Sequence, residues 1–100
     1  MTFLCIADAA SSAGFRLAGV ETVEVSGRED ASRALKEFAR RRDAGVILVT
    51  GSLCRLLSDE IAALRRERDL PIVLEVPSAT GESGAASIGE FVRQALGVSI

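Results

Sequence analysis

The chain has no histidine, tryptophan or tyrosine, and only two cysteines, Cys5 and Cys54. Without histidine it lacks the side chain that most often serves as a general base near neutral pH. Catalytic sites of the Ser-His-Asp and Cys-His kinds are therefore excluded from this sequence. Two distant cysteines without histidine also cannot supply the four ligands of a structural zinc site.

Glycine-rich phosphate-binding motifs are absent as well. The first predicted strand is followed by DAASSAG rather than G-x-G-x-x-G, and no G-x-x-x-x-G-K-[ST] run occurs. Cys5 lies inside that strand, and Ser11 stands where a Cys-x5-Arg phosphatase would need arginine. We therefore expect no catalytic residue, no nucleotide or other cofactor and no bound metal.

No apolar run approaches the roughly 18 residues that span a bilayer. The longest candidates, Val46 to Val49 and Ile72 to Leu74, have the length of strands. The N-terminus has no basic region and its apolar run ends at Asp8, so we expect no signal peptide and a cytoplasmic location. In that compartment the cysteines are expected to be reduced and buried.

The sequence does contain enough apolar residues for one compact domain. It has 100 residues, of which 48% are hydrophobic, and a mean hydropathy of +0.28. The net charge is −2 with both signs interleaved, which indicates no surface for nucleic acid. The basic run Arg40 to Arg42 is best placed at a helix C-terminus, opposing the helix dipole.

Short apolar segments alternate with helical patterns along the chain. The predicted strands are Phe3 to Ala7, a short edge strand around Val23 and Val25, Val46 to Val49, and Ile72 to Val76. This alternation predicts an α/β fold: a flavodoxin/receiver-like three-layer sandwich whose four-stranded parallel sheet has the order 2-1-3-4, with a C-terminal helix. The expected organisation is a sheet domain at 1–76, a flexible loop at 77–84 and a C-terminal helix or mobile tail at 85–100.

Capping residues and apolar stripes predict the helices. Ser26 and Glu29 have capping-box spacing, so a helix is expected to begin near Gly27. Its predicted buried face consists of Ala31, Ala34, Leu35 and Phe38. A single following helix is predicted from the stripe Leu53, Leu56, Leu57, Ile61 and Leu64.

The run GFRLAGV, from Gly14 to Val20, has the pattern of a helix end. Gly19 suits the left-handed position just past the helix, and Val20 can then pack back onto Phe15. Asp8, at the start of this helix, is interpreted as a loop-forming or helix-capping residue in preference to a magnesium ligand.

The clearest helical pattern comes last. Ser87 and Glu90 form a second capping box, and Gly97 suits the left-handed position at the other end. The stripe between them could complete the layer that covers the sheet, or could lie on a partner if the tail detaches. Periodicity alone does not decide between the two.

Four segments together resemble the F subunit of the V-type/A-type (archaeal-type) rotary ATPases: GFRLAGV after the first strand, GVILVT, LPIVLEVPS and SIGEFVRQALGVSI. The resemblance runs the length of the chain, and GFRLAG is its most specific part. It implies a non-catalytic component of the central rotor stalk that binds the D subunit, the coiled coil of the rotor, and couples or modulates ATP hydrolysis and synthesis. It also implies contacts with the membrane-ring adaptor and, through the C-terminal helix, with the nucleotide-binding head.

The same resemblance nominates residues for partner contact. Those in the first motif are Phe15, Arg16 and Leu17, of which Phe15 and Leu17 could equally belong to the core, so that Arg16 is the better discriminator. Those in the terminal helix are Ile88, Phe91, Val92 and Leu96.

Two alternatives stay open on the residues alone. The first is a degenerate receiver-like regulatory domain, with Asp8 and Thr50 at the strand ends but without paired acids, a third-strand aspartate or a fifth strand. The second is a small thiol enzyme using Cys5 or Cys54.

Overall fold

The computed structural model describes residues 2–68 and 70–78. The predicted C-terminal features lie outside the described residues: the helix or tail at 85–100, its cap and apolar stripe, and most of the loop at 77–84. The described elements are β1 (Thr2–Ala7), α1 (Ala9–Leu17), β2 (Glu21–Glu24), α2 (Gly27–Arg40), β3 (Ala44–Thr50), α3 (Gly51–Leu56), α4 (Ser58–Glu67) and β4 (Ile72–Val76).

The strands form one parallel sheet in the order β2-β1-β3-β4, which confirms the predicted order. In its centre β1 pairs with β3, with Phe3 opposite Val46 and Ile6 opposite Val49. Every residue of β3 is buried, which is why its sequence is an unbroken apolar run. β2 lies at one edge of the sheet, where Glu21 and Glu24 at its ends are exposed and Thr22 and Val23 between them are half-buried.

Helices lie on both faces of the sheet. From β1 the chain crosses toward one edge of the sheet to form β2, and it then crosses back toward the other edge to form β3 and β4. Because crossovers are right-handed, α1 packs on one face, whereas α2, α3 and α4 pack on the other. The α1 side of the core contains Cys5, Ala7, Phe15, Val20, Val46, Leu48 and Val76. The opposite side contains Ile6, Val25, Ala31, Ala34, Leu35, Ile47, Val49, Leu53, Leu57, Ile61 and Val73.

The end of α1 is built as the sequence predicts. Gly19 has a φ of +86°, the left-handed conformation. Its N–H donates to the Arg16 carbonyl at 3.0 Å, and the Val20 N–H donates to the Phe15 carbonyl at 3.1 Å. These are the two bonds of a Schellman motif, and Phe15 and Val20 share one buried cluster. The motif ends the helix and turns the chain into β2.

Helix α2 begins at Gly27 as predicted, but the predicted capping box is wrong. Ser26 occupies the N-cap position, yet its side chain makes no capping hydrogen bond. Gly27 has a φ of +81°, so the backbone turns between the serine and the helix. The hydroxyl is then not aligned with the first N–H groups of the helix, which a capping serine requires.

The single helix predicted after β3 is also wrong, because the structure has two. Helix α3 ends at Leu56 and α4 begins at Ser58, with Leu57 between them at φ −105° and ψ 16°. Leu53, Leu57 and Ile61 are buried, whereas Leu56 is 46% exposed. The buried residues are spaced four apart, so the core uses that one row and leaves Leu56 beside it.

Candidate functional site

The carboxyl ends of the strands are the first place to look for a site in this fold. Ligands of open parallel sheets bind where the strand order reverses, which here is between β1 and β3. Asp8 and Thr50 stand there. Asp8 is the N-cap of α1, since its Oδ1 accepts the Ser11 N–H at 2.9 Å, and this confirms the predicted capping role.

Hydroxyl groups surround the Asp8 carboxylate. Oδ1 also accepts the Ser11 hydroxyl at 2.7 Å. Oδ2 accepts the hydroxyls of Ser78 at 2.8 Å, Ser52 at 2.9 Å and, at a longer 3.4 Å, Thr50. We call these five residues the Asp8 cluster. They come from the ends of β1 and β3, from α1 and α3, and from the segment after β4, so one carboxylate connects most of this edge of the sheet.

The environment of Asp8 favours its charged form. Partial burial raises its pKa, but the hydrogen bonds from Ser11, Ser78 and Ser52 outweigh that effect and hold the pKa below its ordinary value. A magnesium site would need further oxygen ligands of the carboxylate kind, and the part of the chain that the structure describes contains no group of three or more His, Cys, Asp or Glu able to hold a metal. The Asp8 cluster is therefore suited to cross-linking the strand ends.

The two cysteines differ in burial, but the pKa of both thiols is raised. Burial, and secondarily the charge of Asp8, raise the pKa of the Cys5 thiol to about 12. Burial is also the main cause that raises the pKa of the half-buried Cys54, with Glu75 adding to it. Reactive cysteines need a lowered pKa and access to solvent, so the geometry favours structural roles for both.

The structure separates the residues that the sequence nominates for partner contact. Phe15 is fully buried on the inner side of α1, and it supports the fold from inside. Arg16 and Leu17 lie on the surface, and Leu17 is 90% exposed. The four nominated residues of the terminal helix, Ile88, Phe91, Val92 and Leu96, lie outside the described residues. Contact with a partner stays a prediction for all seven.

An exposed apolar strip on β4 was missed by sequence reasoning. Ile72 and Leu74 are 46% and 42% exposed, whereas Val73 between them is buried. The two exposed residues point to the α1 side of the sheet, since they pair in register with Val46 and Leu48. The sequence carries no polar alternation here, so the pattern did not distinguish the two faces of this edge strand.

In the basic run, Arg41 has local partners. Arg41 forms ion pairs with Glu21 and, at 2.7 Å, with Asp43. The hydrogen bond from Arg41 is the main cause that lowers the pKa of Asp43 to about 2. Arg40 lies in the last turn of α2, as expected for a cation that opposes the helix dipole. None of the described helices is both long enough and apolar enough to cross a membrane.

Comparison with known proteins gives consistent matches over the whole length. The model of one family, described as ATP synthase (F/14-kDa) subunit, matches residues 4–94. The A-type ATP synthase F subunit of Thermococcus gammatolerans is 34% identical, over 100% of this chain and 98% of the relative. The proteins of the same name from Pyrococcus abyssi and Methanococcus aeolicus are 35% and 32% identical, again over 100% of this chain and 98% and 99% of theirs.

Proposed function

The chain belongs to the ATP synthase (F/14-kDa) subunit family, and from this premise we propose that it is a non-catalytic component of the central stalk of a proton- or sodium-translocating rotary ATPase. One observation carries the proposal: relatives named as the F subunit of an A-type ATP synthase align with the full chain at 32–35% identity. In this role the protein lies on the cytoplasmic side, peripheral to the membrane, and couples or modulates ATP hydrolysis and synthesis.

The chemistry of the described residues supports a non-catalytic role. The carboxylate at the carboxyl edge of the sheet, Asp8, already accepts hydrogen bonds on both oxygens from the protein's own hydroxyls and N–H groups. The Cys5 thiol has a pKa of about 12 and so carries almost no thiolate near neutral pH. The receiver-like alternative, which needs Asp8 and Thr50 to meet a phosphate-bearing ligand or magnesium, is correspondingly weaker.

The proposed principal partner is the D subunit, the coiled coil of the rotor. The end of α1 presents Arg16 and Leu17 outward, with Leu17 almost fully exposed. An exposed leucine can enter an apolar seam, and a neighbouring arginine can pair with a carboxylate at its rim. The buried Phe15 and the Schellman ending beneath them hold this corner rigid. We also propose that the terminal helix contacts the nucleotide-binding head and that the chain contacts the membrane-ring adaptor.

Co-expression of the chain with the D subunit from the same organism tests the proposal. We expect the two to elute together from a size-exclusion column, and separate elution at micromolar concentrations would contradict it. Leu17→Ser is expected to weaken the complex without unfolding the chain, because so exposed a side chain contributes little to the core. Leu56→Ser, at an exposed leucine of α3, is the matched control and should bind as the wild type does.

A further inference from the structure

The outer edge of β4 is open. β4 is an edge strand, and no strand in the described part of the chain pairs with its outer side. Its sequence is IVLEV, and Ile72 and Leu74 are 46% and 42% exposed. An apolar edge strand with free backbone groups is a template for pairing with another chain, so natural proteins block such edges.

Alternate residues of β4 direct their backbone groups to the open edge. The N–H and C=O of one residue in a strand point to the same side, and the side alternates along the strand. The Val76 carbonyl lies 3.8 Å from the position of a Cβ on Gly51, directly after β3, and so faces the neighbouring strand. By alternation the backbone groups of Leu74 also face β3, whereas those of Val73 and Glu75 face the open edge.

Arg65 of α4 blocks this edge. Its Nη2 donates a hydrogen bond to the Val73 carbonyl at 2.8 Å, in a partly buried contact. The guanidinium therefore occupies the place where an added strand would put a backbone N–H. A hydrogen bond from a charged donor is stronger than the neutral backbone bond that would replace it, so strand addition is disfavoured. Glu75, the other outward residue, is exposed and adds a charge beside Arg65.

We infer that Arg65 is an autoinhibitory contact, which prevents β4 from pairing edge to edge with β4 of a second copy of this chain. A second copy fits because an antiparallel pair centred on Leu74 places Val73 opposite Glu75 of the second copy. In that pair the Val73 carbonyl accepts the Glu75 N–H, and this carbonyl is the acceptor that Arg65 holds. The exposed Leu74 of each copy then lies against the other. The inference does not depend on the proposed function.

The oligomeric state of an Arg65 variant tests the inference. Arg65→Met removes the donor, and analytical ultracentrifugation of the full chain measures dimerisation. We expect this variant to dimerise at least about tenfold more tightly than the wild type, the equivalent of one hydrogen bond to a charged group. Arg66→Met, in the same turn of α4, is the matched control and should behave as the wild type does. Circular dichroism checks the fold, and Arg65→Ala takes the place of a methionine variant that does not fold.

Disulfide trapping tests the register of the pair. The two Leu74 residues lie opposite each other without hydrogen bonds, about 4.5 Å apart between Cα atoms. In the Arg65→Met background, Leu74→Cys should therefore form a disulfide between copies, whereas Leu56→Cys, at an exposed position of α3, should not. Glu75→Pro in that background removes the N–H that the pair needs and should restore the monomer. The inference is overturned if Arg65→Met dimerises no more tightly than Arg66→Met, if position 74 forms no disulfide, or if the dimer survives Glu75→Pro.

Discussion

Replacing Asp8 by asparagine tests whether the Asp8 cluster holds the strand ends together. The carboxylate accepts four hydrogen bonds of 2.9 Å or shorter, from the Ser11 N–H and from the hydroxyls of Ser11, Ser52 and Ser78. Asparagine keeps one oxygen and is an equally good N-cap, so the cap of α1 survives. The charge is lost, and the new NH₂ group faces hydroxyls that formerly donated and must now rotate to accept.

The expected cost follows from the difference between charged and neutral acceptors. A hydrogen bond to a charged group contributes about 1.5–3 kcal/mol and a neutral one about 1 kcal/mol. Over four bonds, and discounting for a carboxylate that is only partly buried, we expect Asp8→Asn to lower the free energy of unfolding by about 2 kcal/mol. That corresponds to a melting temperature lower by about 10 °C in a domain of this size. Urea unfolding followed by circular dichroism measures the change.

The pH dependence provides a second readout of the same variant. The pKa of Asp8 is lower in the folded protein than its ordinary value of 3.8. The charged carboxylate therefore stabilises the fold fully above the unfolded-state pKa, and this stabilisation is lost as the pH falls through the folded-state pKa. The stability difference between wild type and Asp8→Asn should be constant near neutral pH and shrink below about pH 4. Asp59→Asn, at an exposed position of α4, is the control for a lost charge. If Asp8→Asn unfolds at the wild-type urea concentration at pH 7, the cluster does not stabilise the fold.

Three further predictions concern the core, the helix end and the thiols. Phe15→Ala should lower the free energy of unfolding by about 3–5 kcal/mol, and a thermal melt within a few degrees of wild type would show that the α1 side of the core tolerates the cavity. Gly19→Ala should lower the free energy of unfolding by about 1 kcal/mol from backbone strain alone, because no atom lies within 4 Å of an added Cβ. Gly19→Asn should lower it less, because asparagine adopts the left-handed conformation more readily. Equal stability of the two variants would argue against strain at φ +86°. In the folded protein at pH 8, Cys54 should be alkylated faster than Cys5, because Cys54 is only half-buried; rapid labelling of Cys5 would contradict its burial in β1.

Most of the architecture was predictable because it depends on local patterns. Parallel strands covered on both faces require continuous apolar runs, and Val46 to Val49 is such a run, so β3 followed from the pattern. The sheet order followed from the flavodoxin/receiver-like fold that the strand-helix alternation predicts. The end of α1 was equally predictable. Only glycine adopts a φ of +86° without penalty, and the residues that complete the motif are its immediate neighbours.

Predictions failed at the start of α2 and at the break between α3 and α4. Ser26 and Glu29 have the spacing of a capping box, but the positive φ of Gly27 prevents the box from forming. Leu56 fits a helical stripe, yet it is exposed because the core uses the row through Leu53 and Leu57. Both patterns are correct descriptions of an isolated helix. The backbone at Gly27 decides the first case and packing on the sheet decides the second, and residue spacing reveals neither.

The sequence by itself determined the fold class, the helix end at Gly19 and the absence of histidine chemistry, since each depends on residue type and short-range spacing. The strand order was predicted from the flavodoxin/receiver-like fold, and the structure confirms it. Only the tertiary structure decided which polar groups meet. Ser52 and Ser78 lie 44 and 70 positions from Asp8 along the chain, and they reach the same carboxylate oxygen because parallel strands bring their carboxyl ends to one edge.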